Sequence, residues 1–109
     1  MKVLIVDDNE PISEMLAALF ASQGFEYEIS GDGDDALSRV KKFKPNVVVL
    51  DVIMPGGLNG FEVCKAIKED RSHNEAYVII ISGCGDGKDF ITAKNAGADD
   101  YLIKPFSPR

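Results

Sequence analysis

Met1-Lys2-Val3-Leu4-Ile5-Val6-Asp7-Asp8 opens the chain, and its pattern returns at Val47-Val48-Val49-Leu50-Asp51: four consecutive apolar residues, mostly β-branched, closed by carboxylates. A strand with one wet face alternates apolar and polar residues. An unbroken apolar run reads instead as a strand covered on both faces, the situation of parallel strands between two layers of helices. Val78-Ile79-Ile80-Ile81 and the shorter Leu102-Ile103 fall in the same class. A fifth run, Phe25 to Ile29, alternates Phe25, Tyr27 and Ile29 with Glu26 and Glu28, as an outer strand with one solvated face would.

Between these runs lie segments of helical period. Pro11 opens the first, with Ile12, Met15, Leu16, Leu19 and Phe20 at the 3, 4 spacing and Gly24 as its stop. Asp34 to Lys42 carries Ala36, Leu37 and Val40 on one side; Phe61, Val63, Cys64 and Ile67 mark a third helix; Asp89 to Asn95, with Phe90, Ile91 and Ala93, a fourth that ends before Gly97. The order β-α-β-α-β-α-β-α-β predicts a doubly wound α/β domain with right-handed crossovers. Residues 1–109 form one domain, without repeat or linker.

Composition narrows the function classes. Twelve Lys and Arg against eighteen Asp and Glu leave a net charge of −6, while 45% hydrophobic residues suffice for a core. The acidic balance excludes a domain that grips a nucleic-acid backbone by itself. Two cysteines, Cys64 and Cys84, and one histidine, His73, are too few for a zinc cluster. The amino-terminal apolar run is too short for a signal segment, and no run reaches membrane-span length, so the expectation is a cytoplasmic chain with reduced thiols and no membrane partner. Cys64 reads as core, and His73, in the polar stretch Asp70 to Asn74, as surface. Ser107-Pro108 announces a fifth helix of which only Arg109 follows, so the reading is a domain truncated before its last helix.

In open α/β sheets the ligand crevice lies beyond the carboxyl ends of the strands. There the sequence places Asp7 and Asp8 after the first strand, Asp51 after the third, Ser82 after the fourth and Lys104 after the fifth. Singly, each has an ordinary structural reading as a helix-start acid, a turn residue, a cap or a solvated cation. Jointly, three converging carboxylates repel one another in a partly dry crevice and call for raised pKa values or a hard cation. Oxygen ligands of this kind suit Mg²⁺, and a lysine opposite would meet a phosphoryl group.

The set Val6-Asp7-Asp8-Asn9-Glu10, Leu50-Asp51-Val52-Ile53-Met54-Pro55, Ile81-Ser82-Gly83 and Ala96 through Phe106 resembles the receiver domain of two-component response regulators, over essentially the whole chain. The resemblance implies a flavodoxin-like five-stranded sheet of order 2-1-3-4-5. It implies Asp51 as phosphoacceptor from a partner histidine kinase or phosphotransfer protein. Asp7, Asp8, Asp51 and the backbone carbonyl of Ile53 would be ligands for Mg²⁺, Lys104 would be a phosphoryl partner, and Ser82 with Tyr101 the relay to an output surface. It further implies a cis peptide before Pro105, homodimerisation through the fourth-helix and fifth-strand face, and a downstream effector or a following output domain.

The chain departs from the family pattern in the loop Gly56-Gly57-Leu58-Asn59, one residue longer than usual before Gly60, and in Gly83-Cys84-Gly85-Asp86-Gly87, which predicts a mobile segment from Gly83 to Lys88. Ile53 and Cys84 flank the site with side chains unsuited to orient an attacking water, an expectation of slow dephosphorylation. Two other classes stand beside the switch: a small Mg²⁺-dependent phosphotransferase or phosphatase with an aspartyl nucleophile, and a flavodoxin-like nucleotide binder. The second needs a glycine-rich phosphate loop where this chain has two carboxylates.

Overall fold

The computed structural model describes residues 1–54, 57–72, 75–83 and 87–103, with the backbone alone at 87 and 88. The expectations for Lys104, Pro105, the Ser107-Pro108 helix start, His73, Cys84 and the centre of the 83–88 segment lie outside the described residues.

Nine elements alternate: β1 (Lys2–Val6), α1 (Glu10–Ser22), β2 (Glu26–Ser30), α2 (Gly33–Phe43), β3 (Val47–Asp51), α3 (Gly60–Glu69), β4 (Tyr77–Ser82), α4 (Gly87–Asn95) and β5 (Asp100–Ile103). The strands form one wholly parallel sheet of order β2-β1-β3-β4-β5, with Val6 beside Leu50 and Asp51 beside Ile81. This is the doubly wound, flavodoxin-like arrangement, carrying four helices among the described residues. None of those helices is long and apolar enough to cross a membrane.

The continuous apolar runs become two cores, one on each sheet face. Leu4, Val6, Val48, Leu50, Val78 and Ile80 pack under Ala36 and Val40 of α2, Val63, Cys64 and Ile67 of α3, and Ala93 of α4. Val3, Ile5, Val49 and Ile81, the alternate residues of the same strands, pack under Leu16 and Ala17 of α1. Cys64 is fully buried as expected, and burial pushes its thiol up to about 11.

Four details differ from the sequence reading. Met15 and Leu19 are exposed, because the buried stripe of α1 is rotated toward Ser13 and Ala17, small residues that let the helix sit close to the sheet. The buried Ser13 hydroxyl satisfies itself on the Glu10 carbonyl at 3.1 Å. Phe25, just ahead of β2, and Ile29 within it flank the α1 core, but Tyr27 between them is exposed. Leu102 and Ile103 are 42% and 47% exposed rather than covered on both faces. β5 is an edge strand lying two strands, roughly 10 Å, beyond β3, outside the reach of α1. Ile91 and Phe90 are likewise exposed, leaving Ala93 as the residue by which α4 enters the core.

Helix starts are fixed by local capping. Asn9 accepts the Ile12 amide ahead of α1, Asp32 the Asp35 amide ahead of α2, and Asn59 forms a reciprocal pair with Glu62, each bond 2.9 Å, ahead of α3. At the outer edge, the Asp35 carboxylate accepts from Ser30 and Arg39, and Arg39 also reaches Glu28, tying α2 to β2. The Ser30 hydroxyl first, then Arg39, holds the Asp35 carboxyl below its ordinary range.

Gly60 begins α3 directly against the end of β3: a Cβ there would collide with the backbone carbonyl of Asp51, whereas one at Gly57, in the same loop, would meet open space. Gly60→Ala should therefore destabilise by about 3 kcal/mol or more and Gly57→Ala by less than about 1 kcal/mol. Urea unfolding of both variants reads the difference; equal losses would contradict the close approach.

Candidate functional site

The sheet order makes β1 and β3 neighbours, so the residues that end them meet. Asp51 closes β3; Asp7 and Asp8 follow β1 directly. One carboxylate oxygen from each of the three lies within 4.8 Å of the others. Asp7 and Asp51 are buried, at 4% and 8% exposure, and Asp8 faces solvent. The loop is held in place by backbone as well as side chain. The Asp7 amide donates to the Ser30 carbonyl at the end of β2, and the Asn9 amide donates to Asp7 Oδ1 at 2.9 Å. Asn9 thus serves twice, capping α1 with its side chain while its amide turns Asp7 inward.

Two buried carboxylates this close repel by about 3 kcal/mol or more if both are ionised, taking an effective dielectric of ~20. An oxygen-only donor set with that charge fits a hard divalent cation, and Asp7, Asp8 and Asp51 are the residues that could hold one. Their proximity is what a bound cation would use, and backbone bonds hold the loop on either side of it.

On the other side of Asp51 the ends of β3 and β4 are bound together by Val52 N–H to the Ile81 carbonyl, 3.0 Å. Ser82, the last residue of β4, is 1% exposed. Its hydroxyl donates to Asp89 Oδ2 on α4 at 2.6 Å. Tyr101 lies on β5 beside Ile80, half-buried against the α2-α3-α4 core, and its ring meets that of Phe90 edge-on at 5.7 Å. The Ile53 side chain, two residues past Asp51, is 80% exposed.

Of the residues singled out from sequence, Asp7, Asp8 and Asp51 are brought together, and Ser82 and Tyr101 stand on the neighbouring strands toward β5. Lys104 and Pro105 are outside the described residues. Sequence reasoning missed Asp89, seen there only as a helix start, and Gly60, whose lack of a side chain lets α3 abut the carbonyl of Asp51. The first could have been sought by asking which acceptor faces the buried Ser82 hydroxyl; the second by the Asn59-x-x-Glu62 capping pattern, which fixes the start of α3 at Gly60. Two surface depressions, of about 240 and 630 Å³, lie between α4 and β5 and at the opposite, amino-terminal end of the strands; neither contains an acid of the cluster.

Comparison with known proteins agrees with this geometry. The family described as "Response regulator receiver domain" matches residues 3–109. The DNA-binding response regulator MtrA of Mycobacterium tuberculosis is 34% identical over 108 residues, 99% of this chain and 46% of that protein. The chain thus spans less than half the length of this relative. Among solved structures, chemotaxis protein CheY4 of Vibrio cholerae superposes with a TM-score of 0.89 at 32% identity, covering 98% of this chain and 88% of that one. The BeF₃-activated DrrB receiver domain does so with a TM-score of 0.86 at 34% identity, covering 98% and 86%. A doubly wound sheet whose first and third strands deliver three clustered aspartates, matched end to end by one family, places this chain among the response regulator receiver domains of two-component systems.

Proposed function

We propose that the chain is a phosphorylation-driven signalling switch in which Asp51 accepts a phosphoryl group. The observation that supports this most is the cluster itself: a buried carboxylate at the end of a central strand, beside two further carboxylates, in a receiver-family fold. An oxygen of the Asp51 carboxylate attacks the phosphorus of a phosphohistidine on a histidine kinase or phosphotransfer protein. The P–N bond breaks, the imidazole leaves with a proton from solvent, and an aspartyl phosphate is formed. Mg²⁺ is the cation this donor set suits, held by Asp7, Asp8, Asp51 and the Ile53 carbonyl, and when bound it supplies the positive charge that lets two anions approach. Lys104 pairs with a phosphoryl oxygen. Ser82 takes another, drawing its loop inward and letting Tyr101 turn into the space vacated, which changes the α4–β5 surface. An effector, an output domain or a second copy reads that surface in the cytoplasm. MtrA, of which the chain spans under half, is named as DNA-binding, and a DNA-binding output partner is therefore among the readers proposed. The domain catalyses its own phosphoryl transfer and is otherwise no enzyme.

Incubated with Mg²⁺ and acetyl phosphate, the chain should gain a single acid-stable, base-labile phosphate that is absent from Asp51→Asn; labelling that persists in that variant would refute the assignment. Losing one of the carboxylates should weaken the cation: Asp8→Asn lowers Mg²⁺ affinity roughly tenfold or more while Glu14→Gln, an exposed acid on α1, leaves it unchanged, as read by calorimetric titration. The exposed apolar Ile53 side chain cannot orient a water toward the phosphorus. Ile53→Asn should therefore shorten the lifetime of the phosphorylated chain several-fold, and an unchanged decay would remove Ile53 as the cause of slow hydrolysis.

A further inference from the structure

The Ser82 hydroxyl is not waiting for a phosphoryl oxygen; it is already engaged. Its proton is donated to Asp89 Oδ2 at 2.6 Å, in the short range of a hydroxyl on a carboxylate, and Ser82 is almost wholly buried. A serine hydroxyl has one proton to donate. A carboxylate and a phosphoryl group are both pure acceptors at neutral pH, so the two cannot share it. From this competition we infer that Asp89 is a positioning residue that holds Ser82 on α4 in the unphosphorylated protein, setting how readily the site closes on a phosphoryl group. The inference rests on the reading of Asp51 as phosphoacceptor.

The consequence reaches Tyr101. Asp89 and Phe90 are adjacent on the first turns of α4; one holds Ser82 and the other packs edge-on against Tyr101. Taking the Ser82 proton away from Asp89 removes a tie between the end of β4 and the same stretch of helix that carries the Phe90 ring. Both ends of the proposed relay therefore meet on one short segment of α4. A simpler role exists for an acid in a first helical turn, where it favours the helix through the dipole. That role is indifferent to what residue 82 is, and this separates the two.

Beryllofluoride with Mg²⁺, a stable mimic of the phosphoryl group, is the probe. Asp89→Asn keeps the shape but loses the charge, and Asp89→Ala removes the acceptor altogether; binding should tighten in both, roughly tenfold for Asp89→Ala and less for Asp89→Asn. In a Ser82→Ala background neither substitution should change the affinity. The chain has no tryptophan and three tyrosines, so in Tyr27→Phe, Tyr77→Phe protein the emission reports Tyr101 alone. There Asp89→Asn should shift that emission, without ligand, part of the way toward its beryllofluoride-bound value. Unchanged or weaker binding in the Asp89 variants, or an equal effect in the Ser82→Ala background, would overturn the inference while leaving the phosphoacceptor reading standing. Absence of any Asp51-dependent beryllofluoride binding in the unaltered chain would overturn both.

Discussion

The register between paired strands decides which residues meet at a sheet edge, and that constraint makes the site. Because β1 and β3 are paired with Val6 beside Leu50, the next residue on each chain segment, Asp7 just past β1 and Asp51 at the end of β3, is brought beside the other. Their mutual repulsion opposes the fold at the very edge that hydrophobic burial in the strands holds together. Val3 to Val6 and Val48 to Leu50 are essentially inaccessible to water, with apolar helices above and below. The core thus brings three carboxylates into proximity, where a cation or a chemical change at one of them would relieve the repulsion between their ionised forms. Stability is spent at the carboxyl edge and recovered in the two apolar layers.

The remaining contacts at this edge decide how freely it can move. On the β1 side the position is rigid: the Asp7 amide is bonded to β2, Asn9 caps α1 while fixing Asp7 Oδ1, and Ser30, whose carbonyl takes the Asp7 amide, is locked to Asp35 through its hydroxyl. On the β4 side a side-chain bond ties Ser82 to Asp89, and α4 enters the core mainly through the small Ala93. A helix with Phe90 and Ile91 exposed has little burial to lose when it shifts. Asp7 and Asp8 stand where several hydrogen bonds fix the loop after β1, and the residues proposed to relay the state of the site stand on or beside α4, which buries little apolar surface.

The strands were legible in the sequence because continuous apolar runs demand cover on both faces, and so were the three aspartates, because a doubly wound sheet delivers whatever follows its strands to one edge. What the sequence left obscure was anything set by lateral position in the sheet. Leu102 and Ile103 carry the composition of a buried strand but occupy an edge that α1 does not reach. Met15 and Leu19 match the helical period of Ile12 and Leu16, yet the stripe that packs turns toward Ser13 and Ala17 because their small side chains permit a closer approach than methionine or leucine would. Periodicity gives the width of a face and not its angle when small residues compete with large ones for the contact. Asp89 escaped for a related reason: its partner is seven residues away across a loop, and a favourable helix-start acid already accounted for it.

The net charge of −6 takes on a different meaning once three of its acids are seen to share one site. A divalent cation there would bring the chain to −6 + 2 = −4, and phosphorylation of Asp51 would then add roughly one more negative charge. Acidity spread over a surface mainly serves solubility, whereas acidity concentrated where two strands end responds steeply to any ion or modification at that point. Asp89 extends the same electrostatics to α4. Its carboxylate accepts the Ser82 hydroxyl proton at the end of β4, the proton for which, on the inference above, a phosphoryl group would compete. Under the function proposed above, the switch is a redistribution of a few hydrogen-bond donors among several anions, with the sheet holding the anions still while the donors change hands.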